Sequence, residues 1–143
     1  MVSLSLAFGD RDLGQEAADE AIVRAFEEWN EVRDMKSPNG WTYRVGYNVA
    51  RRKVRRRAME RRLLLRGRPE DDAAPAGEMW LVVAELPERQ RHAVVLRHLG
   101  QLGEAEIGSV MGITRGTVSA TLRTAYASLK TSLTEPVPAL ELP

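Results

Sequence analysis

The residues best suited to chemistry in this chain are cations crowded into one segment. Ten of the eighteen residues from 51 to 68 are arginine or lysine, and Glu60 is the one acid among them. They spread over more than one helix face, which a single salt-bridged face would not require. Cations at this density favour binding to nucleic-acid phosphates, with an affinity that falls as salt rises. The candidates for phosphate contact are Arg44, Arg51, Arg52, Lys53, Arg55, Arg56 and Arg57.

Aromatic side chains lie just upstream of this basic segment. Trp41, Tyr43 and Tyr47 precede it, together with the polar Asn48. Aromatic rings beside a cationic groove are suited to unpaired bases, because every base offers a face on which a ring can stack. The alternative for Trp41 is that its indole belongs to the hydrophobic core, and the sequence leaves both interpretations open.

A second candidate surface lies between residues 102 and 129. An apolar run ends at Gly112, and Thr114 then opens another helix, which is the pattern of a helix-turn-helix. Gly112 suits a turn with a positive backbone angle. The second helix of such a motif enters the DNA major groove; a plain helical hairpin is the alternative. The expected inward residues are Ile107, Val110, Ile113, Val118 and Leu122, and the expected base-facing residues are Arg115, Thr117, Ser119, Thr121 and Arg123.

Acidic residues concentrate near the start of the chain. Eight carboxylates and two arginines lie between residues 10 and 31. Carboxylates are repelled by DNA, so they indicate either a protein partner or a solvated helix face. The candidates for protein docking are Glu16, Asp19, Glu20, Glu27 and Glu28.

Composition excludes several other classes of function. The chain of 143 residues has no cysteine, so it forms neither disulfides nor zinc fingers and has no thiol nucleophile. Its two histidines, His92 and His98, lack an accompanying nucleophile or metal set, so we expect surface or hinge residues, no enzyme activity, no metal and no cofactor. The first ten residues lack the basic start of a signal peptide, and we expect a cytoplasmic protein without membrane insertion.

Apolar spacing predicts an all-α chain of two small units joined by a flexible linker. We predict one helix over 12–32, with Ala18, Ile22, Ala25, Phe26 and Trp29 forming its apolar stripe. A second should run over 38–65, capped by Ser37, with Trp41, Val45, Val49 and Val54 facing inward. Prolines, glycines and acids make 67–77 a mobile linker. Shorter helices over 78–86 and 88–99 precede the helix-turn-helix, and the proline-containing end should be disordered.

Three ordered stretches resemble a known family. They are DLGQEAADEAIVRAFEEW, SPNGWTYRVGYNVARRKVRRR and ELPERQRHAVVLRHLGQLGEAEIGSVMGITRGTVSATLRTAYASL, and they span roughly residues 8 to 133. The chain is similar to bacterial RNA polymerase sigma factors of the extracytoplasmic-function group, which keep regions two and four. The resemblance implies a subunit that directs polymerase to promoters and helps to melt them.

The resemblance also implies a division of labour along the chain. Residues 1–66 would form region two, which docks its acidic helix on the β′ clamp helices. The same region would recognise and melt the −10 element through the loop 33–39, Trp41, Asn48 and the basic residues. Residues 67–77 would be the linker. Residues 78–134 would form region four, which reads the −35 element and contacts the β flap, and 135–143 would be a disordered tail. An anti-sigma factor is a further expected partner.

Three departures from the family pattern accompany this resemblance. The first helix is shorter than is usual in the family, so we expect either a truncated start or a region two that lacks one packing layer. Gly103 replaces the usual Ser or Thr cap of the first motif helix, at a cost of a few tenths of a kcal/mol. Ser119, Thr121 and Thr124 are neutral where relatives are commonly basic, which predicts weaker phosphate anchoring or a different −35 preference. The alternatives to a sigma factor are a stand-alone helix-turn-helix regulator and a decoy that occupies an anti-sigma factor.

Overall fold

The computed structural model describes residues 2–64 and 77–134, and these residues form helices without any strand, as the all-α prediction requires. None of the helices in those two ranges is long and apolar enough to cross a membrane. The helices are α1 (Val2–Phe8), α2 (Arg11–Glu27), α3 (Trp29–Val32), α4 (Pro38–Leu64), α5 (Glu78–Ala84), α6 (Glu88–His98), α7 (Glu104–Met111) and α8 (Arg115–Thr134).

Close packing of small residues joins the first helices. Asp10 caps α2 by accepting a hydrogen bond from the backbone N–H of Leu13, and Leu13 itself is buried. Gly14 lies directly against the backbone of Ser5, so α1 and α2 approach more closely than a larger side chain would allow. Further along, α2 turns the same small-residue face toward α4. The buried face of α2 consists of Leu13, Gly14, Ala17, Ala18 and Ala21.

The predicted apolar stripe of this segment was therefore mostly wrong. Ala18 is buried and Ala25 is half-buried, but Ile22, Phe26 and Trp29 are exposed, with 76% of Phe26 and 49% of Trp29 accessible to solvent. The single helix predicted over 12–32 is also interrupted at Glu28, where α2 ends and the short α3 begins. Burial follows the small residues because they permit close helix contact, which leaves the large apolar side chains on the surface.

The long helix α4 agrees closely with its predicted bounds. Its start is capped as expected, because the Ser37 hydroxyl accepts a hydrogen bond of 3.0 Å from the backbone N–H of Gly40. Of its predicted inner face, Val49 is buried, whereas Trp41, Val45 and Val54 are half-buried. The helix therefore has one side in the core and another toward solvent.

The two halves of the chain pack against each other in this structure. Helix α6 lies on α1, and α7 lies on α4, so that buried residues of both halves form one continuous core. Arg91 donates a 2.7 Å hydrogen bond to the carbonyl of Ala7, and the Asn39 amide donates one of 3.0 Å to the carbonyl of Gly100. The predicted linker, apart from Gly77, and the predicted tail lie outside the described residues, and the division into domains stays a prediction.

A pair of glycines in the helix-turn-helix tests how tightly its turn is packed. A Cβ added at Gly108 would lie 2.7 Å from the carbonyl oxygen of Ile113, whose N–H closes the turn onto the Gly108 carbonyl. We expect Gly108→Ala to lower the free energy of unfolding by about 1–3 kcal/mol, since backbone must move. In the control Gly116→Ala, the added Cβ meets only the Thr114 hydroxyl at 4.0 Å, and we expect a gain of about 0.5 kcal/mol. Urea unfolding followed by circular dichroism measures both, and equal stabilities would contradict the packing.

Candidate nucleic-acid interface

The helix-turn-helix forms as its sequence predicts. Gly112 adopts a left-handed conformation with φ of 71°, and this allows α7 to end and the chain to turn. The Thr114 hydroxyl then accepts a 3.1 Å hydrogen bond from the N–H of Thr117 and so caps α8. Four of the five predicted inward residues are buried, and Ile113 is half-buried. The first turns of α8 are thereby held rigidly with their polar side outward.

The outward side of α8 forms one wall of an open groove. Thr117, Ala120, Thr121 and Thr124 line it, and the start of α6 forms the facing wall. Arg115 and Arg123 are exposed on the same helix, whereas Thr117, Ser119 and Thr121 are half-buried. The start of α6 contributes two residues that the sequence did not single out, Arg89 and Gln90. The available signal was the pair of arginines, Arg89 and Arg91, soon after Pro87.

The basic helix α4 divides its cations between two sides. On one side Lys53 pairs with Glu16 at 3.1 Å, and Arg57 pairs with Asp10 at 2.7 Å. These cations are engaged by the acidic helix, and a charge already paired within the protein contributes less to phosphate binding. The other side is different: it forms a groove of about 370 Å³ lined by Arg24, Val45, Asn48, Arg51, Arg52 and Arg55.

The residues expected to contact unpaired bases have different surroundings from one another. Arg44 and Asn48 are exposed on α4, next to the cationic groove, and Trp41 is half-buried. Tyr43 and Tyr47 are each only 5% exposed, so the expectation that these two rings stack on bases was wrong. The Tyr43 hydroxyl instead shares a 2.8 Å hydrogen bond with Ser3 in the core.

His92 is a second residue that the sequence misplaced. It was expected at the surface or in a hinge, but it is 2% exposed and shares a 2.7 Å hydrogen bond between its Nδ1 and the Tyr47 hydroxyl. The Phe8 ring lies 4.6 Å from the imidazole, centroid to centroid. Burial, aided by the nearby Arg91 guanidinium, lowers the pKa of His92 to about 4, and burial raises the pKa of Tyr47. Both partners are therefore neutral at pH 7.

A carboxylate ties the helix-turn-helix to the start of α4. Glu106 accepts a 2.9 Å hydrogen bond from the N–H of Gly103, the residue that caps α7. A hydrogen bond from Ser37, and then that of Gly103, lowers the pKa of Glu106. The neighbouring acid Glu104 lies 3.8 Å from Arg115 at the start of α8. Helix α7 therefore packs against both α4 and α8, the two helices that carry the candidate DNA surfaces.

An apolar groove of about 560 Å³ opens between α5, α6 and α8. The His98 imidazole, exposed as expected, shares a 2.8 Å hydrogen bond with the Tyr126 hydroxyl at its edge. Met79 and Leu133 line the groove and are half-exposed to solvent. Within residues 2–64 and 77–134 nothing covers this apolar groove, and an uncovered apolar groove is a candidate protein-docking site.

Comparison with known proteins decides the family. A family model for sigma-70 region 4 matches residues 76–129. The RNA polymerase sigma-E factor of Streptomyces coelicolor is 30% identical over 125 residues, which cover 83% of this chain and 71% of that protein. The sigma-E factors of Streptomyces antibioticus and Streptomyces avermitilis are 29% and 28% identical, over 83% of this chain and 69% and 70% of their own lengths. The chain belongs to the extracytoplasmic-function sigma factors.

Membership fixes the general activity of the protein, which directs RNA polymerase in transcription initiation. Because the aligned share of the chain is larger than region four alone, the likeness to the sigma-E factors extends into the first half. The individual contact residues of this sigma factor remain predictions. The structure collects Asn48, Arg51, Arg52 and Arg55 in one groove and places Arg44 and Arg56 on the exposed surface nearby.

The acidic residues of the sigma factor are more dispersed than the docking hypothesis assumed. Glu16 is occupied by the cations of α4, and Glu20 pairs with Arg24 at 2.7 Å on its own helix. Asp19 accepts a hydrogen bond from the Gln15 amide, and Glu27 and Glu28 are exposed. The end of α2 and the start of α3 present exposed apolar side chains beside these acids. Ile22, Phe26 and Trp29 were predicted to face the core, and Val23 is exposed with them.

Proposed function

We propose that this sigma factor holds a promoter at two places and the polymerase core at two others. Helix α8 enters the major groove at the −35 element, and the exposed side of α4 binds the −10 region and its phosphates. The observation that carries this proposal is the division of the cations of α4 between two sides of the helix. One side is neutralised by α2, while the other collects three arginines and Asn48 around an open groove. The protein acts by binding rather than by catalysis, in the cytoplasm where the polymerase works.

Two apolar surfaces support the proposed contacts with polymerase. The exposed end of α2 combines Phe26 and Trp29 with nearby carboxylates, and we assign it to the β′ clamp helices. The groove between α5, α6 and α8 is lined mainly by apolar side chains, as a groove that receives an apolar helix would be, and we assign it to the β flap. An anti-sigma factor would compete for these same surfaces, because both are apolar and open.

The proposed function requires the two halves to separate. Helix α7 is eight residues long, about 12 Å. The axes of packed helices lie about 8–10 Å apart, so α4 and α8 are each about that far from α7. Adding these distances to the length of α7 places the start of α8 within roughly 30 Å of Trp41. Elements named −35 and −10 are centred some 25 base pairs apart, which is roughly 85 Å of duplex at 3.4 Å per pair. The packed arrangement therefore holds the chain off the promoter, and core binding opens it.

Reconstitution tests the function directly. The full chain is mixed with core polymerase, and the complex transcribes fragmented genomic DNA, after which the 5′ ends of the transcripts are sequenced. We expect the chain to copurify with core and to create start sites that share sequence near −35 and −10. A chain that binds duplex DNA but never associates with core would favour the stand-alone regulator. Association with an anti-sigma protein, without transcription, would favour the decoy.

The two sides of α4 give a matched test of the −10 surface. The triple variant replaces Arg51, Arg52 and Arg55 by alanine. We expect it to reduce the magnitude of the slope of log affinity against log salt by about 2, since each lost phosphate contact lowers that magnitude by about 0.7–0.9. Lys53→Ala together with Arg57→Ala, which removes the cations paired with Glu16 and Asp10, should change the slope by less than 1. Filter binding of holoenzyme to promoter DNA across salt concentrations measures both slopes. Equal changes in the two variants would contradict the division.

A further inference from the structure

The part of α8 that lines the groove facing the start of α6 lacks the side chains that usually read bases, although Arg115 and Arg123 are exposed elsewhere on the helix. Thr117, Ala120, Thr121 and Thr124 recur at helical spacing along the groove wall. Guanine is read by arginine or lysine, and adenine by asparagine or glutamine. None of the four residues on this wall carries such a group, so the wall must recognise a feature of the bases other than the hydrogen-bonding edges of guanine and adenine.

The threonine hydroxyls on this face are already occupied. Thr121 Oγ1 donates a 2.7 Å hydrogen bond to the carbonyl of Thr117, and Thr124 Oγ1 donates one of 3.0 Å to the carbonyl of Ala120. Thr117 Oγ1 lies 2.9 Å from Thr114 Oγ1 at the cap. A threonine whose hydroxyl bonds the preceding turn holds its methyl in a different staggered position, away from that carbonyl. The wall is thereby rich in methyl groups of fixed orientation.

Thymine carries the C5-methyl group, which presents an apolar contact in the major groove of DNA. We propose that this face of α8 recognises thymine methyls in the −35 element through the methyl groups of Thr121, Thr124 and Ala120. Arg89 across the groove and Arg115 at the helix start hold the flanking phosphates. This inference rests on the proposed function, in which α8 enters the major groove. It gives the neutral positions of the helix a positive role in specificity.

The test uses holoenzyme made from the full chain and a promoter duplex identified by the transcript sequencing described above. Each thymine of its −35 element, on either strand, is replaced in turn by deoxyuridine, which lacks only the methyl. We expect at least one replacement to weaken binding about fourfold, the equivalent of ~0.8 kcal/mol for one methyl-sized group. Unchanged affinity at every position, or a −35 element with no thymine on either strand, would overturn the inference.

Paired substitutions separate methyl contact from hydroxyl contact. Thr121→Val and Thr124→Val keep a methyl and lose the hydroxyl, and we expect them to retain the preference for thymine over deoxyuridine. Thr121→Ser and Thr124→Ser keep the hydroxyl and lose the methyl, and at least one should abolish that preference. The reverse pattern would show recognition by the hydroxyls and overturn the inference. Failure of the holoenzyme to bind the unmodified duplex would instead refute the proposed function itself.

Discussion

A sigma factor whose halves are covalently tied across α7 should lose promoter-directed transcription by at least tenfold. The tie joins Ser37→Cys to Gly103→Cys with a short bismaleimide. Both residues hydrogen-bond the carboxylate of Glu106, so their side-chain positions lie within reach of one another. Gly103 accepts the change because its φ is −74° and an added Cβ meets nothing closer than Glu106 Oε2 at 3.8 Å. The chain has no cysteine, so only the introduced thiols react.

The loss is expected because the tied protein cannot span the two promoter elements. Transcription from the promoters identified with core polymerase measures it. The two single-cysteine variants treated with the same reagent control for modification alone, and the untreated double variant controls for substitution. A bismaleimide that contains a cleavable disulfide should give activity back on reduction. Full activity of the tied protein would mean that the packed arrangement is compatible with the promoter. It would contradict the proposal that the two halves separate when core binds.

Local signals in the sequence predicted the helix-turn-helix well. Gly112 and Thr114 act through their own backbone neighbours, so their effects can be read from a few adjacent residues. The Ser37 cap of α4 is equally local. These predictions succeeded because a turn angle or a capped helix end depends little on the rest of the molecule.

Non-local packing defeated the prediction of the core. Tyr47 and His92 are 45 residues apart and meet only because α6 packs on α1, whose Phe8 ring contacts both side chains. A tyrosine beside many arginines suggested base stacking, and an isolated histidine suggested surface exposure. Neither pattern contains the partner that buries it. The sequence also suggested two separate units, and it offered no sign that their apolar faces would meet.

The first half of the chain shows how close helix packing can override a hydrophobic pattern. Periodicity favoured the large residues Ile22, Phe26 and Trp29 as the buried face of α2, yet the helix buries its glycine and alanines. Large apolar side chains left on the surface in this way are what the proposed contact with polymerase would use. Similarly, a count of cations cannot separate Lys53, which is paired with Glu16, from Arg52, which lines the open groove.

Lowering the pH from 7.5 to 5 should destabilise the packed protein through His92. The folded-state pKa of about 4 lies below the unfolded value of 6.5. Between these values the unfolded chain binds a proton that the folded chain does not, so stability is full above pH 6.5 and falls as the pH decreases toward 4. For a histidine 2% exposed, this linkage lowers the free energy of unfolding by about 2 kcal/mol at pH 5.

Urea unfolding at pH 7.5 and pH 5 isolates this effect when variants are compared by their pH dependence rather than by their absolute stability. His92→Gln removes the titrating ring. Between pH 7.5 and pH 5 the free energy of unfolding of this variant should therefore fall by about 2 kcal/mol less than that of the unaltered protein. His98→Gln removes the exposed histidine and serves as the control for loss of an imidazole. The ring contacts Phe8 of α1 and Tyr47 of α4, so protonation should loosen α6 from the first half before the helices melt. If the His92 variant keeps the full pH dependence, the buried neutral imidazole does not stabilise the junction between the halves.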